Sequence, residues 1–191
     1  MIYLASKSPR REQLLHQLGV EFQVHAIDID ETRQAQESPA AYVCRMAREK
    51  AALSAAEIAA RESKFAVLAA DTTITCDGDI IGKPADRDQC RCILGKLSAR
   101  QHLVLSAVAL ATGDDVVLRL TQNRVSFRRL TRTEIEAYCA SAEPMDKAGA
   151  YAIQGKAACF IEHLEGSYSA VMGLPLFETA ELLRNADLAL T

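Results

Sequence analysis

Ile2-Tyr3-Leu4-Ala5-Ser6-Lys7-Ser8-Pro9-Arg10-Arg11 is an apolar strand that runs straight into a helix. Ser8 suits an N-cap and Pro9 the first helical position. A strand that turns directly into a helix is the opening of an α/β fold. The two arginines that follow stand where a helix N-terminus carries about half a positive charge. Guanidinium groups there repel the dipole unless an anion lies between them. A phosphate chain would be held by the backbone N–H groups and the arginine forks together. The other reading leaves both arginines in water, where the repulsion costs a few tenths of a kcal/mol. Position alone leaves both readings open.

Outward from this turn, strand and helix alternate. Residues 2–6 read as a buried strand, 9–18 as a helix closed by Gly19, and 21–27 as a strand. An acidic loop, Asp28-Ile29-Asp30-Glu31, comes next. Ser38-Pro39 opens a helix to about residue 61. Phe65-Ala66-Val67-Leu68-Ala69-Ala70 is a continuous apolar run, as a strand covered on both faces requires, and it ends in Asp71-Thr72-Thr73. Asp77-Gly78 signals a hairpin that Gly82-Lys83-Pro84 ends. A helix is predicted over 86–97, then strands over 102–111 and 116–127 around Gly113-Asp114-Asp115. Thr131 caps a helix to about Ser141. A loop of small residues from Asp146 to Gly155, a strand over 157–163 and a helix from Leu174-Pro175 to near Leu188 complete the chain. The class is α/β with a mixed sheet, because the hairpins exclude a purely parallel one.

The 191 residues are expected to form a single domain over 1–191. A chain this long buries roughly 70% of its unfolded surface and needs no staples. With a net charge of −3 it is not a duplex nucleic-acid binder, though local positive charge could still hold one nucleotide. The six cysteines, Cys44, Cys76, Cys90, Cys92, Cys139 and Cys159, contain no CxxC pair. They are expected to be free thiols in a reducing cytosol. No signal peptide and no membrane-spanning run is visible, so a cytoplasmic location is expected. His16, His25, His102 and His163 have no metal spacing and no GxSxG elbow occurs, which excludes zinc-hydrolase and serine-hydrolase chemistry.

Four positions look wrong for structure alone. Lys50 falls seven residues after Val43, on the apolar stripe of Val43, Met46, Ala47, Leu53 and Ser54. An inward lysine is costly unless it meets an anion or snorkels to water. Asp71 follows six uncharged residues. There it can hold a divalent cation, take a proton from water, or simply close an Asx-turn. Lys83 is a further cation beside a turn. Gln154, in Asp146-Lys147-Ala148-Gly149-Ala150-Tyr151-Ala152-Ile153-Gln154-Gly155, brings an amide that donates and accepts at once, a fit for a base edge.

Taken in order, Leu4-Ala5-Ser6-Lys7-Ser8-Pro9-Arg10-Arg11, Ala47-Arg48-Glu49-Lys50-Ala51, Ala70-Asp71-Thr72, Gly82-Lys83-Pro84, the stretch from Asp146 to Gly155, and Gly173-Leu174-Pro175-Leu176 resemble the Maf family of nucleoside triphosphate pyrophosphatases. The resemblance spans nearly the whole chain. It implies an elongated α/β fold with two lobes around a deep cleft, akin to inosine triphosphate pyrophosphatases. It also implies cleavage of a nucleoside triphosphate to the monophosphate and pyrophosphate. For that chemistry a divalent cation, Mg²⁺ or Mn²⁺, is the expected cofactor.

By the same resemblance the catalytic aspartate is Asp71, and the specificity positions are Arg10, Thr72 and Gln154. The family's other cleft charges fall on Arg11, Glu31, Lys50 and Lys83. Beyond the resemblance, the expected phosphate-binding residues are Ser8, Arg11, Lys50 and Lys83, and the expected metal ligands are Asp71 and Glu31. Glutamine at 154 resembles the branch acting on dTTP and UTP, where the 7-methyl-GTP branch has glutamate. The competing expectations are 7-methyl-GTP as substrate, or a nucleotide-sensing regulator of septum formation. A homodimer is compatible with the resemblance, but no patch marks one. One departure is Thr73-Ile74-Thr75, where the family has a more aliphatic strand.

Overall fold

The computed structural model describes residues 1–188. Its elements are β1 (Ile2–Leu4), α1 (Pro9–Gln17), β2 (Phe22–Val24), α2 (Pro39–Ala59), β3 (Ala66–Cys76), β4 (Asp79–Ile81) and α3 (Arg87–Leu97). Then follow β5 (Gln101–Thr112), β6 (Asp115–Phe127), α4 (Arg132–Cys139), β7 (Ile161–Glu165), α5 (Tyr168–Met172) and α6 (Leu176–Asn185). Two short 3₁₀ turns, Ala148–Ala150 and Lys156–Phe160, lie between α4 and β7.

Seven strands form one mixed sheet in the order β2-β1-β3-β5-β6-β7, with β4 paired to β3. β1 runs parallel to β2 and β3, and the other pairings are antiparallel. The apolar run of β3 is buried on both faces because alternate side chains serve different layers. Val67 and Ala69 meet Val43, Ala47, Ala51, Ala55 and Ile58 of α2. Leu68 and Ala70 join the larger core with Leu14, Leu15, Leu94, Leu182 and Leu183. The sheet face under α2 is rich in alanine, Ala107, Ala109 and Ala111 among them, so small side chains meet small ones there.

Several expectations are corrected. β3 does not stop at Asp71 but continues to Cys76, paired to β5 from Val67↔Ala111 to Thr75↔Leu103. Asp71 therefore sits inside a strand, just past the point where β1 ends opposite Leu68. Residues 157–160 form a 3₁₀ turn, and the strand starts only at Ile161. α6 stops at Asn185, short of Leu188, and Leu53 of the α2 stripe is exposed. Cys90 and Cys139 are not free thiols. They are joined as a disulfide that links α3 to α4, while Cys44, Cys76, Cys92 and Cys159 are free. Among the described residues, no helix is long and apolar enough to cross a membrane.

The start of α4 gives a pH signature. Thr131 and Glu134 cap it reciprocally, and Glu134 also accepts from Arg128 at 2.6 and 3.2 Å. The Arg128 hydrogen bonds, followed by those from Thr131, hold the Glu134 carboxyl down at about 2. In the unfolded chain it titrates at about 4.3. Its contribution to stability is thus complete above the ordinary carboxylate range and is lost as pH falls towards 2. Glu134→Gln is expected to unfold at lower urea than the parent at pH 6. The gap should close as pH drops from about 5 towards 2. A gap that does not change with pH would exclude an electrostatic origin.

Candidate active site

β1 ends at Leu4, and the Ala5 N–H still donates to Leu68 O at 2.8 Å. Beyond that bond the chain leaves the sheet, and a cleft of about 840 Å³ opens beside Asp71. Ser8, Arg10, Arg11, Glu31, Lys50, Asp71, Thr72, Lys83 and Gln154 all line it. These nine residues come from six separate parts of the chain. Six cations line the cleft (Lys7, Arg10, Arg11, Lys50, Lys83, Lys147) against four carboxylates (Asp28, Glu31, Asp71, Asp146). The lining therefore carries two more positive than negative groups in a chain whose net charge is −3. That local excess suits a polyanion.

The turn before α1 orders the arginines. Ser8 is the N-cap, but its side chain makes no capping bond. Its N–H instead donates to Ser6 Oγ at 3.2 Å. Arg11 is drawn inward, donating from Nε to Gly173 O at 2.8 Å and from a terminal nitrogen to Ser6 Oγ at 3.2 Å. Burial pushes its pKa down, and the nearby Asp71 charge opposes that shift. Gly173 has φ 125°, which L side chains rarely adopt, so the carbonyl that receives Arg11 depends on glycine there. Arg10 reaches the other wall, with its guanidinium 3.8 Å from Asp146 Oδ2.

Lys50 projects inward from α2. Its Nζ donates to Asp71 Oδ1 at 2.9 Å and to Glu31 Oε1 at 2.7 Å, with the lysine and aspartate side chains only 12% and 13% exposed. The inward lysine thus meets two anions rather than snorkelling. Burial works to raise the Glu31 pKa, but Lys50, Lys83 and Arg11 together bring it below the ordinary value. Tyr42, two turns before Lys50 on α2, donates from its hydroxyl to Glu31 O at 3.1 Å. Arg45 braces the same loop through Glu37, at 2.7 and 2.9 Å, and through Thr32 O at 3.0 Å.

Thr72 lies 3.0 Å from Ser106 Oγ and 3.5 Å from Gly173 O. The Ser106 hydroxyl donates to Ala170 O at 2.6 Å. The Thr72 hydrogen therefore turns towards Ser106 or Gly173, and its oxygen is left to accept from a ligand. Lys83 stands on the hairpin end, where Gly149 N–H donates to Gly82 O at 3.0 Å and ties that turn to the 148–150 segment. Gln154 is exposed and lines the same cleft. Ile74, Ile80, Val104, Tyr151, Ile153 and Met172 also line the cleft. Apolar lining of this kind suits a ring, and the charged lining suits phosphates.

The sequence reading missed Tyr42, Ser6, Asp146 and Lys147 as cleft residues. Tyr42 carries a usable signal, because it lies eight positions before Lys50 on one helix face. The pairing of Arg10 with Asp146 joins segments far apart in sequence and has no local signal. Among the described residues, no group of three or more histidine, cysteine or acidic side chains forms a ready metal site.

A family model described as Maf-like protein matches residues 1–186. A dTTP/UTP pyrophosphatase of Pectobacterium atrosepticum is 50% identical over 184 residues, covering 96% of this chain and 92% of the relative. A dTTP/UTP pyrophosphatase of Methylobacillus flagellatus is 49% identical over 189 residues, covering 99% of this chain and 94% of the relative. The solved structure of the Staphylococcus aureus Ham1 protein aligns with a TM-score of 0.52 over 97% of this chain and 98% of that one. At 12% identity that likeness concerns the fold alone.

Proposed function

This chain belongs to the Maf family, and from that premise we propose that its cleft hydrolyses dTTP and UTP to the nucleoside monophosphate and pyrophosphate. The observation that carries the reading is Lys50 held between Asp71 and Glu31 in a cleft also lined by Arg10, Arg11 and Lys83.

In this reading Arg10, Arg11, Lys83 and the free hydroxyl of Ser8 receive the triphosphate. Lys50 orients Asp71 through Oδ1. Water attacks the α-phosphorus, the bond from that phosphorus to the α–β bridging oxygen breaks, and the proton of the water passes to Asp71. The departing pyrophosphate keeps the bond's electron pair, and the cations around it offset the charge that develops. Phosphoryl transfer needs little covalent help from a protein, so positioning and charge account for the rate.

A hard divalent cation fits these residues. Lys50 uses one oxygen each of Asp71 and Glu31, so each carboxylate keeps an oxygen that Lys50 does not engage. Mg²⁺ is characteristically held by one or two carboxylates, with waters and substrate phosphates completing its shell. Asp71 and Glu31 would hold it, and it would neutralise phosphate charge at the bond to be broken.

For the base, Gln154 can accept from a ring N–H and donate to a ring carbonyl, the pattern of uracil and thymine. Arg10 and Thr72 line the same cleft. Gln154→Glu is expected to lower kcat/KM for UTP about 10-fold, since one donor is replaced by an acceptor that meets a carbonyl. The ranking of substrates should shift away from pyrimidines. A screen of dTTP, UTP, CTP, GTP and 7-methyl-GTP, with phosphate and pyrophosphate measured separately, tests both points. Release of phosphate instead of pyrophosphate, or a preference for 7-methyl-GTP, would overturn the proposal. An unchanged ranking in the variant would remove Gln154 as the reader of the base.

A further inference from the structure

Gln154 is exposed and its side chain hydrogen-bonds no other described residue. Nothing but its backbone sets where the amide points. That backbone is gripped on both sides by two residues that do not line the cleft. On one side, Ala152 N–H donates to the Tyr138 hydroxyl at 3.3 Å. On the other, Lys156 N–H donates to Glu143 Oε2 at 3.1 Å. The two supports are themselves joined, because the Tyr138 hydroxyl donates to Glu143 Oε1 at 2.8 Å. Between them, Gly155 N–H donates to Ala152 O at 3.0 Å and closes the turn.

The grip is tight. A Cβ on Gly155 would lie within 3 Å of all three carboxyl atoms of Glu143, so a side chain there would displace that carboxylate. The Tyr138 ring is buried and packs edge-on against Phe160, with centroids 5.2 Å apart. Burial, then the hydrogen bond to Glu143, hold the Tyr138 hydroxyl well above its ordinary pKa, so it stays a donor. Tyr138 also sits in the last turn of α4, where the neighbouring Cys139 is bonded to Cys90 of α3. The support is therefore anchored in the core.

We propose that Tyr138 and Glu143 are a positioning pair: by fixing the backbone from Ala152 to Lys156 they aim Gln154, and so set base selectivity without touching the nucleotide. The inference rests on the reading of Gln154 given above. It adds that selectivity for the uracil-type edge depends on residues outside the cleft.

The test is steady-state kinetics of Tyr138→Phe, Glu143→Gln and Glu143→Ala, with kcat and KM resolved for UTP and CTP. These two substrates share sugar, phosphates and ring size and differ at the base edge that Gln154 would read. Glu143→Ala loses the backbone hydrogen bond from Lys156 N–H and the one from the Tyr138 hydroxyl, so the second support of the segment loses its anchor as well. The kcat/KM for UTP is expected to fall about 10-fold, chiefly through KM, while that for CTP changes less than about threefold. The UTP:CTP ratio should thus collapse. Glu143→Gln, which can still accept from Lys156 N–H, should restore part of it. A purely structural role would lower both substrates in parallel and leave the ratio intact.

An unchanged ratio in folded Glu143→Ala and in Tyr138→Phe overturns the inference. If Glu143→Ala does not fold, Tyr138→Phe decides, since it keeps the ring on Phe160 and removes only the hydroxyl. Parent protein with no preference for UTP over CTP overturns both the inference and the reading beneath it. A preference that Gln154→Glu abolishes, but Tyr138→Phe and Glu143→Ala retain, overturns the inference alone.

Discussion

Asp71→Asn is expected to fold as the parent does and to turn over every triphosphate about 10²–10³-fold more slowly, a loss of about 3–4 kcal/mol of transition-state stabilisation. The substitution is isosteric, and the new amide oxygen can still accept from Lys50 Nζ, now 2.9 Å from Oδ1. Lys50 also retains Glu31 at 2.7 Å, so no cation is stranded. What disappears is the negative charge and the ability to take a proton. Stability should change by about 1–2 kcal/mol, which for a chain of this length is a few degrees in thermal midpoint. KM should move little if the phosphates are held by the cleft's other cations. Asp71→Glu is expected to lose activity as well, because the longer chain displaces the carboxylate from both Lys50 and the α-phosphorus. Pyrophosphate release by Asp71→Asn within about threefold of the parent would rule out Asp71 as the group on which the chemistry depends.

How far the site was legible can be judged from Asp71 itself. Its chemistry could be read because a lone carboxylate after an apolar run has no structural use that position alone requires. Its setting was misread because the apolar run was equated with the strand. Thr72, Thr73, Ile74 and Thr75 continue β3, as β-branched residues do when a long partner is present, and that partner, β5, lies some thirty residues further on. Local pattern reports the run, whereas tertiary pairing sets its end. The same reason accounts for residues 157–160, where alanines after Gly155 accept a 3₁₀ turn before β7 pairs with β6. The disulfide shows the limit most clearly. Helical geometry separates Cys90, fully buried, from Cys92, exposed, yet nothing in the spacing selects Cys139 as the partner. Lys50 was legible for the opposite reason, because its position on the α2 stripe is a local fact that demands an inward anion. That the anion is two carboxylates, one of them on a loop braced by Tyr42 and Arg45, is a tertiary fact with no local trace.

Lys50→Met puts that demand to the proof. The methionine stem follows the path of the lysine between Ala47 and Ala51, both fully buried, so packing on α2 is kept. The shared cation is lost, and Asp71 and Glu31 are left with no Nζ between them. Turnover is expected to fall about 10²–10³-fold, because Asp71 is no longer oriented and the triphosphate meets two uncompensated carboxylates. The protein should also be less stable, by up to about 3 kcal/mol, since removing one partner of a buried pair strands the other. Lys50→Arg should not rescue turnover, because the planar fork cannot place one nitrogen where the ammonium bridges two acids. The decisive comparison is the double variant Lys50→Met/Asp71→Asn. With the buried charge gone as well, Lys50→Met should cost far less stability in that background than in the parent, and activity should stay lost. Urea unfolding of the four proteins in the cycle measures the coupling. Equal stability costs in both backgrounds, or a Lys50→Met protein that turns over UTP at the parent rate, would mean that the lysine is not the link between the two acids and that the cleft works by some other arrangement of charge.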